Sequence, residues 1–129
     1  MTPITLLGAG GYISVRAGPT CGYYCGGYAA LTTADRITFS TSATAANTTS
    51  DLATGKRAIA GVSDKTTYGY FCGGNSGAVT AGTERMTFST GANAANTASN
   101  LSQARSNPSG LSDGSTYGYD CVGTTGAVQ

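Results

Sequence analysis

One segment of this chain is used three times. Cys21-Gly22-Tyr23-Tyr24-Cys25-Gly26-Gly27 returns as Tyr68-Gly69-Tyr70-Phe71-Cys72-Gly73-Gly74, and in decayed form as Tyr117-Gly118-Tyr119-Asp120-Cys121-Val122-Gly123. A second segment travels with it. Asp35-Arg36-Ile37-Thr38-Phe39-Ser40-Thr41 matches Glu84-Arg85-Met86-Thr87-Phe88-Ser89-Thr90, 49 positions on. The correspondence continues through Ala45-Ala46-Asn47-Thr48 and Ala94-Ala95-Asn96-Thr97, then Gly61-Val62-Ser63-Asp64 and Gly110-Leu111-Ser112-Asp113. Self-similarity at a period of about 40–50 residues marks a supersecondary unit that buries its apolar face against the next copy. A segment used three times is an architectural unit before it is an active site.

The local pattern within each copy is that of strands. Arg36, Thr38 and Ser40 alternate with Ile37 and Phe39, the period of two that a half-buried strand requires. Short strands are expected over residues 4–7, 12–16, 21–27, 33–41, 59–63, 68–72 and 85–89, with a fourth strand of the second copy within 96–101. The alanines at 43–46 and 92–95 sit among Thr, Ser, Asn and Gly, which disfavour helix. Residues 52–56 read as a strand approaching the next hairpin, with a single helical turn as the alternative. The pattern predicts one repeat domain over 1–129. Its copies cover about 12–58 and 59–107 with a partial third over 108–129, after a strand and turn at 1–11.

Composition limits the core. Leu, Ile, Val and Phe are few and Trp is absent, so eight Tyr and three Phe must supply much of the buried area. Only 10% of residues are charged and the net charge is +1. A small-residue surface with so little charge tends to associate, which points to life in an assembly. The seven basic residues form no stripe that would attract nucleic acid, and no apolar run is long enough to span a membrane. The N-terminus carries no charged leader followed by an apolar stretch, so the expected location is intracellular or in a particle released without a cleaved leader.

Cys25, Cys72 and Cys121 occupy the same slot in three copies. Three equivalent positions cannot all pair with one another, so reduced, structural cysteine is favoured over a disulfide. A Cys21–Cys25 bridge is disfavoured as well, because residues four apart on a strand lie roughly 13 Å apart. With no His and no paired C-x-x-C, no metal site or other cofactor is expected.

Candidate chemistry is sparse. Asp64 and Asp113 follow the first strand of their copies and are read as turn residues that accept hydrogen bonds from the backbone ahead. Asp35-Arg36 and Glu84-Arg85 are read as strand-edge charges that pair locally or deter wrong edge pairing. The glycine clusters lack the Lys-Ser/Thr of a phosphate loop, so they are read as turns. No catalytic residue is assigned. Tyr23, Tyr70 and Tyr119 share one strand position and are expected in the core. Tyr12, Tyr24 and Tyr28 are less regular and are the candidates for contact with a glycan or a partner, since a phenol ring stacks on a sugar face.

An aromatic strand ending in Gly26-Gly27 or Gly73-Gly74, a following strand with Arg36 and Phe39 or Arg85 and Phe88, and then Leu52…Arg57 or Leu101…Arg105 together resemble the kelch-type repeat. The resemblance covers about residues 12–129, and the repeat is similar to those of phage tail-fibre and other virion appendage proteins and of related surface proteins of aquatic bacteria. In it Gly26, Gly27, Arg36, Phe39, Cys72, Gly73, Gly74, Arg85 and Phe88 are structural. It implies an all-β fold of about two and a half four-stranded antiparallel propeller blades, completed by self-association. It also implies a non-enzymatic virion component as tail fibre, baseplate or capsid decoration, with a module for a host-surface glycan as the alternative and the cell surface as the alternative location. Copies of this chain and other virion proteins are the implied partners. The tryptophan usual late in a kelch repeat is absent, so packing between blades falls to Tyr, Phe and Leu. Two chains closing a ring of five or six blades, three closing a larger one, blades stacking without closure, and the strand at 4–7 finishing the last blade all remain open.

Overall fold

The structure, a computed structural model, describes residues 13–17 and 20–126. Within them the chain is almost entirely β. The strands are β1 (Ile13–Ala17), β2 (Cys21–Cys25), β3 (Ala34–Thr38), β4 (Ala43–Ala46), β5 (Ala60–Ser63), β6 (Tyr68–Cys72), β7 (Thr83–Thr87), β8 (Asn93–Ala95), β9 (Ser109–Ser112) and β10 (Gly118–Cys121). They form three antiparallel sheets, none closed on itself: β1-β2-β3-β4, β5-β6-β7-β8, and the hairpin β9-β10. Each sheet is a meander of sequence neighbours.

The copies superpose in register. Phe71 pairs with Glu84, and Glu84 in turn with Ala95. In the first sheet the matching row is Tyr24, Asp35 and Ala46. The fourth strand expected within 96–101 lies earlier, at Asn93–Ala95, and Thr97–Ser99 forms a single 3-10 turn. The alanines are small and extended enough to pair with β7, after which Asn96 N–H donates to Thr83 O and ends the strand. The strand predicted at 85–89 runs two residues earlier. Residues 52–56 are irregular, neither strand nor helix. The expectations at 4–7 and at Tyr12 lie outside the described residues.

The sheets pack face to face, with β5 beside β1 and β9 beside β5. The core is formed by Tyr23, Cys25, Ala34, Leu52, Ile59, Ala60, Phe71, Cys72 and Met86. Each large side chain among them contributes about 1.5–3 kcal/mol by leaving water. The Tyr23 and Phe88 rings bridge the first two sheets, stacked at 9° with centroids 6.4 Å apart. The hairpin approaches the second sheet closely because Gly110 and Gly118 lie there. A Cβ on Gly110 would collide with Gly61 O, and one on Gly118 would meet Val62 at 2.8 Å.

The turns follow from their sequences. Asp64 Oδ1 accepts from the N–H groups of Thr66, Thr67 and Tyr68, at 2.9, 2.7 and 2.9 Å. Asp113 Oδ1 accepts from those of Ser115, Thr116 and Tyr117, at 2.8, 2.8 and 3.1 Å. These two acids therefore shape their hairpins as read from the sequence.

Candidate functional site

The molecule's most concentrated polar chemistry lies where one repeat meets the next. Glu84, the second residue of β7, is 2% exposed. Its carboxylate accepts from Ala53 N–H (2.6 Å), Thr54 N–H (3.3 Å) and Asn93 Nδ2 (2.7 Å). It also pairs with Lys56 Nζ at 3.3 Å, both side chains being 5% exposed or less. Lys56 Nζ donates in addition to Gly82 O. The segment carrying Ala53, Thr54 and Lys56 leaves the first sheet and lays its donors on an acid of the second. This corrects the reading of Glu84 as a strand-edge charge. β7 is flanked on both sides, and Glu84 pairs with a residue from the preceding repeat.

The glycine pairs hold that segment. Gly26 and Gly73 end β2 and β6 at φ +78° and +64°, a region that residues with a Cβ rarely adopt. Gly27 N–H then donates to Lys56 O (3.2 Å), and Gly74 N–H to Arg105 O (2.7 Å). The backbone of the Lys56 segment is thus repeated at Arg105. Lys56 N–H donates to Leu31 O and Arg105 N–H to Thr80 O, while Leu52 and Leu101 donate to Thr32 O and Ala81 O.

The second junction differs in where its acid comes from. β10 carries Asp120 where β6 carries Phe71, and neither oxygen of this carboxylate has a hydrogen-bond partner among the described residues. Burial raises the pKa of Asp120, against the opposing pull of its weak thiol neighbour Cys72 and the charge of Arg105. Arg105 Nη1 donates to Val122 O at 3.1 Å. Asp120 faces a cleft of about 310 Å³ lined also by Val62, Tyr70, Leu101, Thr116 and Tyr119.

The remaining expected residues divide between packing and exposure. Cys72 is buried, Phe88 stacks on Tyr23, and Phe39 is partly exposed. Arg85 lies over the Tyr68 ring, 4.4 Å from its centroid. Arg36 is exposed on β3 and pairs across the sheet with Tyr23, whose hydroxyl pKa burial raises against the opposing charge of Arg36. Tyr24 is 37% and Tyr28 85% exposed, and the Arg57 guanidinium sits 5.8 Å from the Tyr28 ring centroid. Tyr12 lies outside the described residues. Tyr23 is in the core and Tyr70 is half-buried, but Tyr119 is 51% exposed. That corrects its placement in the core, because no sheet among the described residues covers its face.

All four cysteines are free. Burial pushes the thiols of Cys25 and Cys72 up to about 12, with the nearby carboxylates of Glu84 and Asp120 adding to the shift. Among the described residues no three His, Cys, Asp or Glu side chains gather around a point that would hold a metal ion, and no helix is long and apolar enough to cross a membrane. The Lys56–Glu84 junction and the Asp120 cleft escaped the sequence reading. The one signal for the cleft was the replacement of an aromatic by Asp in the third copy. No protein-family model matches the chain, and a search of the curated proteins finds no match.

Proposed function

We propose that this chain is a non-enzymatic assembly protein whose sheets act as kelch-like propeller blades, and that it works as a structural component of a phage virion, as tail fibre, baseplate or capsid decoration. The observation that supports this reading is the junction at Glu84. The molecule places its buried ion pair and its aromatic stack where repeats dock on one another. Immunogold labelling tests the virion assignment. Antibody against the chain should decorate intact purified particles, and signal found only in the soluble fraction of the lysate would exclude that assignment.

A second reading is a module that binds a host-surface glycan. It rests on the exposed phenols, Tyr28 and the Tyr117–Tyr119 pair, whose rings lie 6.3 Å apart beside the Asp120 cleft. A ring stacks on a sugar face while a carboxylate accepts from adjacent hydroxyls. A glycan array probed with multivalent protein separates the readings, and no hit there leaves assembly as the function.

A further inference from the structure

Every internal junction uses the same two kinds of face. The face of the first sheet bearing Tyr23 and Cys25 lies against the face of the second sheet bearing Phe71, Glu84 and Met86. The opposite face of the second sheet, bearing Val62, Tyr70 and Cys72, lies against the face of the hairpin bearing Gly110, Gly118 and Asp120.

The series leaves one face of each kind uncovered among the described residues. On the hairpin, Leu111, Tyr117, Tyr119 and Cys121 are the counterparts of Val62, Tyr68, Tyr70 and Cys72. They point away from the second sheet, with Leu111 64% and Tyr119 51% exposed. On the first sheet, Gly22, Tyr24, Asp35 and Ile37 are the counterparts of Gly69, Phe71, Glu84 and Met86. There Tyr24 and Asp35 are exposed. An exposed cluster of Leu and two Tyr on one small hairpin is the mark of an interaction surface.

Resting on the assembly reading above, we infer that the Leu111–Tyr117–Tyr119–Cys121 face of one copy docks on the Tyr24–Asp35–Ile37 face of a second copy, continuing the internal stacking from chain to chain. The internal junctions set the register. Val62 sits over Gly118, so Leu111 faces the Gly22 position of the next copy, where it meets the Phe39 ring and the Ile37 side chain that lie over that glycine. Cys72 lies beside Asp120, so Cys121 lies beside Tyr24. The contact is head to tail, and it either closes into a ring or extends as a filament according to the angle between copies.

The test combines sedimentation velocity on the full chain with directed cross-linking. Wild-type protein should associate at micromolar concentration, and Tyr119→Lys should weaken that association by roughly thirtyfold, the usual effect of removing a central aromatic anchor. Tyr119 is half exposed, so the variant's circular dichroism and melting should match wild type. In a Cys21→Ser/Tyr24→Cys chain, a short bis-maleimide should produce a covalent ladder that disappears when Cys121→Ser is added. Association that survives Tyr119→Lys without such a ladder overturns this pairing of faces and leaves the assembly reading standing. A wild-type chain that stays monomeric overturns both.

Discussion

Substitution of Glu84 by Gln isolates the charge at the repeat junction. The change keeps the shape and one carbonyl acceptor; at the position of Oε2 that oxygen retains both Ala53 N–H and Asn93 Nδ2, while Thr54 N–H and Lys56 face the new amide nitrogen. It removes the charge facing Lys56, which is 4% exposed and cannot reach water without opening the junction. Breaking a buried pair by neutralising one member costs about 3–5 kcal/mol, and the retained acceptor places this variant near the lower figure. A domain has only about 5–15 kcal/mol to lose, so the effect is large. Removing the stranded cation as well, in Lys56→Met/Glu84→Gln, should recover roughly 2 kcal/mol of that loss, because the buried uncompensated charge is then gone. Urea denaturation at neutral pH, followed by far-UV circular dichroism and tyrosine fluorescence, yields the four stabilities of the cycle. Strict additivity of the two substitutions, or a Glu84→Gln loss below about 1 kcal/mol as for a surface pair, would refute the burial argument.

Three further outcomes are expected. Val122 holds φ +62° with its side chain 74% exposed, where the other copies use Gly26 and Gly73, so Val122→Gly should stabilise by about 0.5–1 kcal/mol and raise the melting temperature; a lower melting temperature contradicts the strain. Backbone donors from Ser115, Tyr117 and Thr116 hold the Asp113 carboxyl below its usual range, so its contribution is present above the unfolded pKa and lost as pH falls through the folded one; Asp120 is shifted upward and has the opposite sign. In acid titrations Asp113→Asn should therefore lose stability relative to wild type only above the acid limb, and Asp120→Asn should gain it there. In thiol labelling at mildly alkaline pH, Cys121 should react first and Cys25 and Cys72 only on unfolding, since burial pushes both up to about 12. For the same reason stability should decline as pH rises beyond the ordinary thiol range, when only the unfolded state ionises.

What could be read in the sequence was whatever depends on neighbours along the chain. The glycine pairs after β2 and β6 and the turns built by Asp64 and Asp113 are local, and the structure has them where residue chemistry puts them. The alternation at Arg36–Ser40 marked a strand but not its extent or its buried face, since β3 ends at Thr38 and Phe39 is 40% exposed. The fourth strand was displaced because Ala94 and Ala95 have little side chain to signal a pairing partner, whereas the polar residues after them resemble an outer strand. Glu84 was misread for a related reason. Its slot holds an exposed Asp35 in the first copy, and its partner Lys56 lies in an irregular segment with no period to announce it. Tyr119 shares with Tyr70 the Tyr-Gly before it and the Cys two residues after it, and the Asp120 beside it does not announce exposure; the sheet lying against Tyr70 is what distinguishes the two environments.

The third copy also shows why repeat decay need not be loss. Arg105 is presented by the same backbone bonds that present Lys56, so it carries a cation to the second junction. Among the described residues the hairpin has no strand equivalent to β7, hence no acid in the place of Glu84. An aromatic at position 120 would leave that cation without an opposing charge. Asp120 supplies one from the adjacent strand, and the charge of Arg105 opposes the upward shift that burial imposes on its carboxyl. The same carboxylate sits on the outer strand of the hairpin, where a half-buried charge discourages a further strand from pairing edge to edge. Growth by edge addition is thereby disfavoured at β10, while the Leu111–Tyr119 face beside it is apolar and, among the described residues, uncovered. Of the two ways to extend this repeat, adding a strand or stacking a face, the residues of the third copy oppose the first and equip the second.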